Sequence, residues 1–256
     1  MIWKKVIPAV MTVIVVLTVF LTSCEGPEGP QGPAESSPYI TGAVSWPWSD
    51  STAYASVEVS ESPAIPGVTI NGIACKRDNF MSADKFRFLN SDLSILPGDS
   101  VYLRVVYTKL DGTPGVAKAD IVMPGFFEIA EPDTSFTTIE VGDGFTANWT
   151  ESSGADVYSV DFSISYNYYD TLGVYKGFRS RFFDSLLVDT TITFEPETLF
   201  PNAVEIDSIT YGSGSFSVRA MHGFTQEGPI INIYGDGLGY FYASTYGDGL
   251  YLYVEQ

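Results

Sequence analysis

Between Val157 and Tyr166 the sequence VYSVDFSISY alternates without a break. Tyr158, Val160, Phe162, Ile164 and Tyr166 fall on one side, with Ser159, Asp161, Ser163 and Ser165 on the other. Successive side chains of an extended chain point to opposite faces, so this run can bury its apolar half only as a β-strand. The same period recurs along the chain. In VYLRVVYT, Val101, Leu103, Val105 and Tyr107 share a face; in VAKADIVM, Ala117, Ala119, Ile121 and Met123 do so. LDGTPG, Leu110–Gly115, lies between them, and an Asp-Gly-containing turn joining two such runs predicts an antiparallel hairpin. GFTANW aligns Phe145, Ala147 and Trp149, SSGA (Ser152–Ala155) makes a turn, and SFSVRAMHG sets Phe216, Val218 and Ala220 opposite Ser217 and Arg219. Helical periodicity is almost absent; SADKFRFL, Ser82–Leu89, is the nearest helical candidate.

Taken in order, the motifs of the second half resemble a fibronectin type III domain. Such a domain carries a core tryptophan on an early strand (Trp149), a Gly-Ala-x-x-Tyr step into the next strand (Gly154, Ala155, Tyr158) and a late x-Val-x-Ala strand (Val218, Ala220). The resemblance covers roughly residues 133–232 and implies a two-sheet antiparallel sandwich. The middle, Asn167 to Asn202, is longer than that family usually has, and the tail beyond Ile231 adds a hairpin, so the expectation is a fibronectin- or immunoglobulin-like fold. The matching positions are structural in that family and bring no active site with them. Residues 38–125 show similar strand spacing, and PGFFEIAEP (Pro124–Pro132) has a proline at each end, which suits a passage between domains because proline cannot donate within a central ladder. A chain of 256 residues, 45% hydrophobic, is long and apolar enough for two cores. The expected architecture is therefore all-β: two tandem antiparallel sandwiches, 38–125 and 126–256, the second with a C-terminal hairpin extension.

The amino terminus carries its own signal. Lys4 and Lys5 precede a run from Val6 to Phe20 that is apolar except for Pro8, Thr12 and Thr18, the pattern of an export signal. As a helix, residues 6–22 would reach about 25 Å, slightly short of a hydrocarbon core of roughly 30 Å, which makes a permanent transmembrane anchor the second choice. Leu21-Thr22-Ser23-Cys24 resembles the bacterial lipobox. That resemblance implies cleavage between Ser23 and Cys24, removal of 1–23 as a signal peptide, and a diacylglyceryl thioether on Cys24. Each buried methylene contributes about 0.8 kcal/mol, so two or three acyl chains hold stably where one does not. Three Gly-Pro-x triplets follow, Gly26 to Ala34; they are collagen-like but too few for a stable triple helix, so residues 24–37 are expected as the lipidated cysteine and a polyproline-type tether.

The charge balance is 13 Lys+Arg against 31 Asp+Glu, a formal −18. Phosphate backbones need clustered cations, so nucleic acid is excluded as a natural partner. Catalytic sets are absent from the sequence. The single histidine, His222, directly follows a predicted strand; no Gly-x-Ser-x-Gly, His-Glu-x-x-His or Cys-x-x-Cys occurs; and Cys75 has no neighbouring base and suits a small core residue. With Cys24 lipidated, Cys75 has no disulfide partner in its own chain. Tyr-Gly-Asp-Gly-Leu occurs twice, from Tyr234 and Tyr246. Asp236 and Asp248 could offer oxygens to calcium if the two turns lay side by side, but neither copy has the alternating ligands and closing Glu of an EF-type loop, and Asp-Gly is ordinary turn chemistry. No cofactor is implied. The aromatics offer a binding surface: Tyr166, Tyr168 and Tyr169 in SYNYYD, and the tail pairs Tyr240/Tyr242 and Tyr251/Tyr253, each pair on one face. The first reading of the tail face is core; the second is exposed rings that stack on sugars or anchor a protein.

The functional expectation is a bacterial cell-envelope lipoprotein, not an enzyme, held to a membrane through acylated Cys24 on the periplasmic face or the cell surface. It would serve as a structural or protein-binding module; the alternative is a carbohydrate-binding surface lipoprotein using exposed tyrosines. A hydrolase with a paired-carboxylate site is a third class, with no pair singled out by the sequence.

Overall fold

The computed structural model describes residues 37–47, 52–78 and 85–256. The signal peptide, Ser23, Cys24 and the Gly-Pro triplets lie outside the described residues.

Short alternating runs build a first sandwich from β1 (Tyr39–Trp46), β2 (Ala53–Ser60), β3 (Gly67–Ile70), β4 (Ile73–Ala74), β5 (Lys76–Asp78), β6 (Lys85–Leu93), β7 (Ser100–Thr108) and β8 (Pro114–Val122). One sheet contains β1-β2-β6-β5 and the other β8-β7-β3-β4. The expected hairpin is β7–β8, with Leu103 opposite Ala119, and the inward residues of both strands are buried. Its turn closes as Asp-Gly chemistry requires: the Asp111 carboxylate accepts from the Thr113 amide (2.9 Å) and hydroxyl (2.7 Å), and Gly112 takes φ 83°. The weak helical candidate is corrected. From Lys85 onward it is the strand β6, because Phe86 and Phe88 reach the core while Arg87 and Leu89 face out, and a helix could not place i and i+2 on one face.

The second sandwich uses β9 (Ile129–Glu131), β10 (Phe136–Glu140), β11 (Phe145–Trp149), β12 (Val157–Asp170), β13 (Tyr175–Leu187), β14 (Thr191–Phe194) and β15 (Ile206–His222). β14-β11-β9 form a three-stranded sheet facing one that holds β13, β12 and β15, the arrangement of a fibronectin- or immunoglobulin-like sandwich. The core between them is aromatic: Phe162 stacks on Phe194 with centroids 4.4 Å apart, and Trp149 meets Tyr158 edge-on at 5.6 Å. The Gly-Ala-x-x-Tyr step is a working corner, since Gly154 sits at φ 75° and the Tyr158 hydroxyl accepts the Ser152 amide at 2.8 Å. The unusually long middle is spent on the β12–β13 hairpin, then on β14 and a helical turn, Pro196–Leu199, that seals the end of the core beneath Tyr166.

The tail departs most from expectation. It contains β16 (Phe224–Thr225), β17 (Gly228–Pro229), β18 (Tyr234–Gly235), β19 (Leu238–Tyr246) and β20 (Leu250–Glu255), and β19 does not fold back on β20. Both run antiparallel to β15, with Arg219 opposite Tyr246 and Phe216 opposite Leu250. Three steps on β15 thus match four on the tail, so the second Tyr-Gly-Asp-Gly-Leu is a bulge inside one long strand, not a turn. The other edge of β19 pairs in parallel with β1, from Tyr39↔Leu238 to Trp46↔Thr245, and β18 joins the opposite sheet against β8. This close docking needs glycine: at Gly239 (φ 137°) a Cβ would lie 1.8 Å from the Ile40 carbonyl oxygen. Residues Ile233, Phe241 and Ala243 complete the first core, while Leu250, Leu252 and Val254 enter the second.

One ten-stranded sheet therefore runs through both sandwiches. The proline-bounded passage is pinned between them: Gly125 donates to Ser153 O (2.8 Å), Ser152 Oγ to Gly125 O (2.7 Å) and Thr245 Oγ1 to Pro124 O (2.6 Å). Residues 36–256 form one compact unit.

Candidate functional site

The tail tyrosines turn away from the core, against the first reading of that face. Phe241, Ala243, Leu252 and Val254 point inward, Tyr240 and Tyr242 are half-buried outside, and Tyr251 and Tyr253 are 54% and 50% exposed. The residues between these tyrosines are also apolar, so period alone could not orient the strand. Burial of a phenol demands a partner for its hydroxyl, and the hydroxyl-free residues win the interior. Because the bulge inserts one extra residue, Tyr246 and Tyr251 stay on the same outer face. Tyr240, Tyr242, Tyr246, Tyr251 and Tyr253 thus form a track about 40 Å long on a single strand.

Two candidate rings are corrected. Tyr166 and Tyr168 are 1% and 3% exposed, because they share the parity of Phe162; their rings meet each other, and Tyr166 also packs on Phe178 and Phe200. Burial pushes the Tyr166 phenol up to about 12. Tyr169 does reach the surface, edge-on to Tyr175 at the hairpin tip.

Below the bulge, register assembles a groove of about 580 Å³. One cross-strand row runs Arg181, Ser163, Ser215, Tyr251, Phe136; the next runs Arg179, Ser165, Ser213, Tyr253, Thr138. The four serines on β12 and β15 make a low floor, with Ser163 and Ser215 hydroxyls 2.9 Å apart. A tyrosine wall rises on one side, where Tyr251 and Tyr253 stack with Phe136 at 5.5 and 6.1 Å. An arginine wall stands on the other, three strand spacings or about 14 Å away. Arg181 donates through Nε to Asp161 Oδ1 (3.1 Å), and that carboxylate holds its guanidinium above the usual range; Arg179 is exposed. Phe136, Arg179, Arg181 and the serine floor were not singled out from sequence. Only Ser163 and Ser165 were legible there as outward residues, and their neighbours come from strands whose pairing no local pattern reveals.

Near the junction of the sandwiches the same face is closed. Ser45 and Ser244 hydroxyls pair at 2.8 Å in a buried contact, and the Arg219 guanidinium lies 5.6 Å from the Tyr246 ring centroid. Farther up, Tyr240 lies 6.5 Å from both Tyr39 and Tyr242, and Phe224 meets Tyr242 edge-on at 4.7 Å.

The remaining candidates serve the fold. His222 ends β15 with Nδ1 2.7 Å from Gly154 O and 3.6 Å from Asp156 Oδ2. Cys75 packs against the first core, and burial pushes its thiol up to about 11, which leaves little thiolate at neutral pH. Asp236 is fully engaged: Oδ1 takes Lys109 Nζ at 2.6 Å, Oδ2 accepts the Val116 amide at 3.0 Å, and its carboxyl is held below the usual range by that lysine. Asp248 sits beyond the far end of β19, about 30 Å along the strand, so the two aspartates cannot share an ion. Among the described residues no group of three or more His, Cys, Asp or Glu is placed to hold a metal. Among them, too, no helix is long and apolar enough to cross a membrane.

No protein-family model matches the chain, and no curated protein matches it in sequence. Among solved structures it is similar to the fibronectin(III)-like modules of Clostridium thermocellum CbhA (TM-score 0.25, 12% identity, 83% of this chain and 89% of that one). It is also similar to the Yersinia pseudotuberculosis adhesin InvE (0.21, 12%, 82% and 61%). A third is Bacteroides ovatus SGBP-B of a mixed-linkage glucan utilization locus, solved with a mixed-linkage heptasaccharide (0.20, 11%, 80% and 43%). Strand order and register, not these scores, carry the fold assignment.

Proposed function

We propose that the chain is a lipid-anchored, non-catalytic binding module of the bacterial cell envelope, and that its ligand lies on the outer face of the ten-stranded sheet. The observation that supports this most is the outward set of the tail tyrosines: large rings are left in solvent on strands whose alternate residues fill two cores. Clustered exposed aromatics beside polar groups mark binding surfaces. The anchor follows from Leu21–Cys24, which leaves the sandwiches outside the cytoplasm, on the periplasmic face or the cell surface. A protein partner is the first reading; a glycan is the second, favoured by the serine floor beside the stacked rings.

The test is photo-crosslinking in the living host, with a benzophenone amino acid replacing Tyr251 or, as a second site, Tyr242. The expected result is an adduct of defined mass at one of these positions and none at Leu110, which lies in the β7–β8 turn. No adduct at either tyrosine site, with the protein present at normal level in the membrane fraction, refutes the binding face.

A further inference from the structure

The groove between the arginine and tyrosine walls can be assigned a ligand class, an assignment that rests on the binding-module reading. Charge is the first indication. The chain carries 31 acidic against 13 basic residues, yet the groove lining holds two guanidiniums and no carboxylate. Asp161, two residues along β12 from Ser163, is already engaged by Arg181, and the outward pair Glu140 and Glu255 lies one row beyond Tyr253, on the tyrosine side of the groove. An anion is therefore favoured beside these guanidiniums, on a chain whose net charge is otherwise unfavourable to one.

The floor is the second indication. It offers the short hydroxyls of Ser163, Ser165, Ser213 and Ser215, while the backbone of β12 and β15 is spent on their mutual pairing. A peptide laid on this floor finds no free N–H or C=O ladder; strand addition needs a sheet edge, such as β13 on the far side of the arginine wall. A sugar needs none: its hydroxyls exchange hydrogen bonds with serines, and its C–H faces lie on aromatic rings. The third indication is spacing. Walls about 14 Å apart leave room for a chain lying along the strands, with rings against Tyr251 and Tyr253 and acid groups towards Arg179.

We infer that this groove binds a uronic-acid glycan: sugar faces on Tyr251 and Tyr253, hydroxyls on the serine floor, and a ring carboxylate on the Arg179 guanidinium, the geometry a planar fork favours.

The experiment is titration calorimetry of the full-length, membrane-extracted protein with oligogalacturonates, their carboxyl-reduced counterparts, and oligoglutamate. The oligouronate is expected to bind roughly tenfold or more tighter than the reduced oligomer, as one charge-assisted hydrogen-bonding pair contributes. Arg179→Gln removes that preference and leaves the reduced oligomer unchanged. Tyr253→Ala weakens both sugars, whereas Tyr253→Phe restores them. Both side chains are exposed, so circular dichroism of the variants should match the parent. Equal binding of charged and reduced sugars overturns the anionic assignment, and tighter binding of oligoglutamate overturns the glycan. Failure of every glycan, with crosslinking at Tyr251 intact, overturns this inference alone and leaves the binding-module reading standing.

Discussion

Replacing Phe241 by alanine separates the interlocked fold from a chain of independent beads. Phe241 lies in the last sixteenth of the sequence, in a segment that contiguity assigns to the second sandwich. Yet its ring is fully buried in the first core, above Gly42, where an added Cβ would lie 2.9 Å from the ring. Truncating a fully buried phenylalanine costs about 3–5 kcal/mol in lost burial and residual cavity. In a cooperative unit of this size each kcal/mol moves the midpoint by about 2–4 °C, so a single transition should fall by roughly 10 °C. Amide exchange read by mass spectrometry locates the damage. Amides of β2 and β7, which belong to the first sandwich, should exchange faster by a factor of a hundred to a few thousand, about the Boltzmann factor of that energy. Acceleration confined to β11 and β12, with β2 and β7 at parental rates, would refute the shared core.

Three further outcomes follow from geometry already described. Trp149→Ala should cost about 3–5 kcal/mol in the second sandwich, but Trp149→Phe far less, because the indole Nε1 is buried without a partner and its loss leaves nothing unpaired; denaturant melts compare them. Asp170 is held below the usual carboxylate range by Lys176 at 2.9 Å and by the Val174 and Leu172 amides at the β12–β13 turn. A depressed carboxyl stabilises the fold above the unfolded pKa, about 4, and that stabilisation is lost as pH falls through the lower folded value; thermal melts of Asp170→Asn should therefore show less acid sensitivity than the parent. Cys24→Ala should abolish labelling by a clickable palmitate, and globomycin should trap a larger precursor; normal processing of that variant would remove the anchor.

What was legible from sequence was whatever repeats locally. The faces of β7, β8, β11, β12 and the end of β15 follow from period-two alternation, and the Asp-Gly turn of the first hairpin from turn chemistry. Orientation failed where both faces of a strand are apolar, as in Tyr240–Ala243 and Leu250–Val254, since alternation then has no contrast to report. The start of β6 was obscured because its alternation is brief and flanked by helix-compatible residues. Topology was out of reach for a different reason: nothing in YITGAVSW announces a parallel partner in LGYFYASTY, and a bulge and a turn are spelled by the same five residues. The groove inherits that blindness. Its walls come from β13, β20 and β10, brought together by register alone, whereas Tyr166 and Tyr168, conspicuous in sequence, belong to the interior.

The parallel seam between β1 and β19 also determines how the molecule answers a pull. Tension arriving through the chain ahead of Tyr39 runs lengthwise along β1, which is flanked by β2 on one side and β19 on the other. Strand hydrogen bonds lie across that direction, so the rungs on both flanks are sheared together and cannot be peeled one after another. From β19 the load passes through the bulge into β20, the strand that carries the exposed rings. Load entering at Tyr39 thus reaches the tyrosine face across one hydrogen-bonded seam, from β1 to β19, and then along the backbone of β19 and β20.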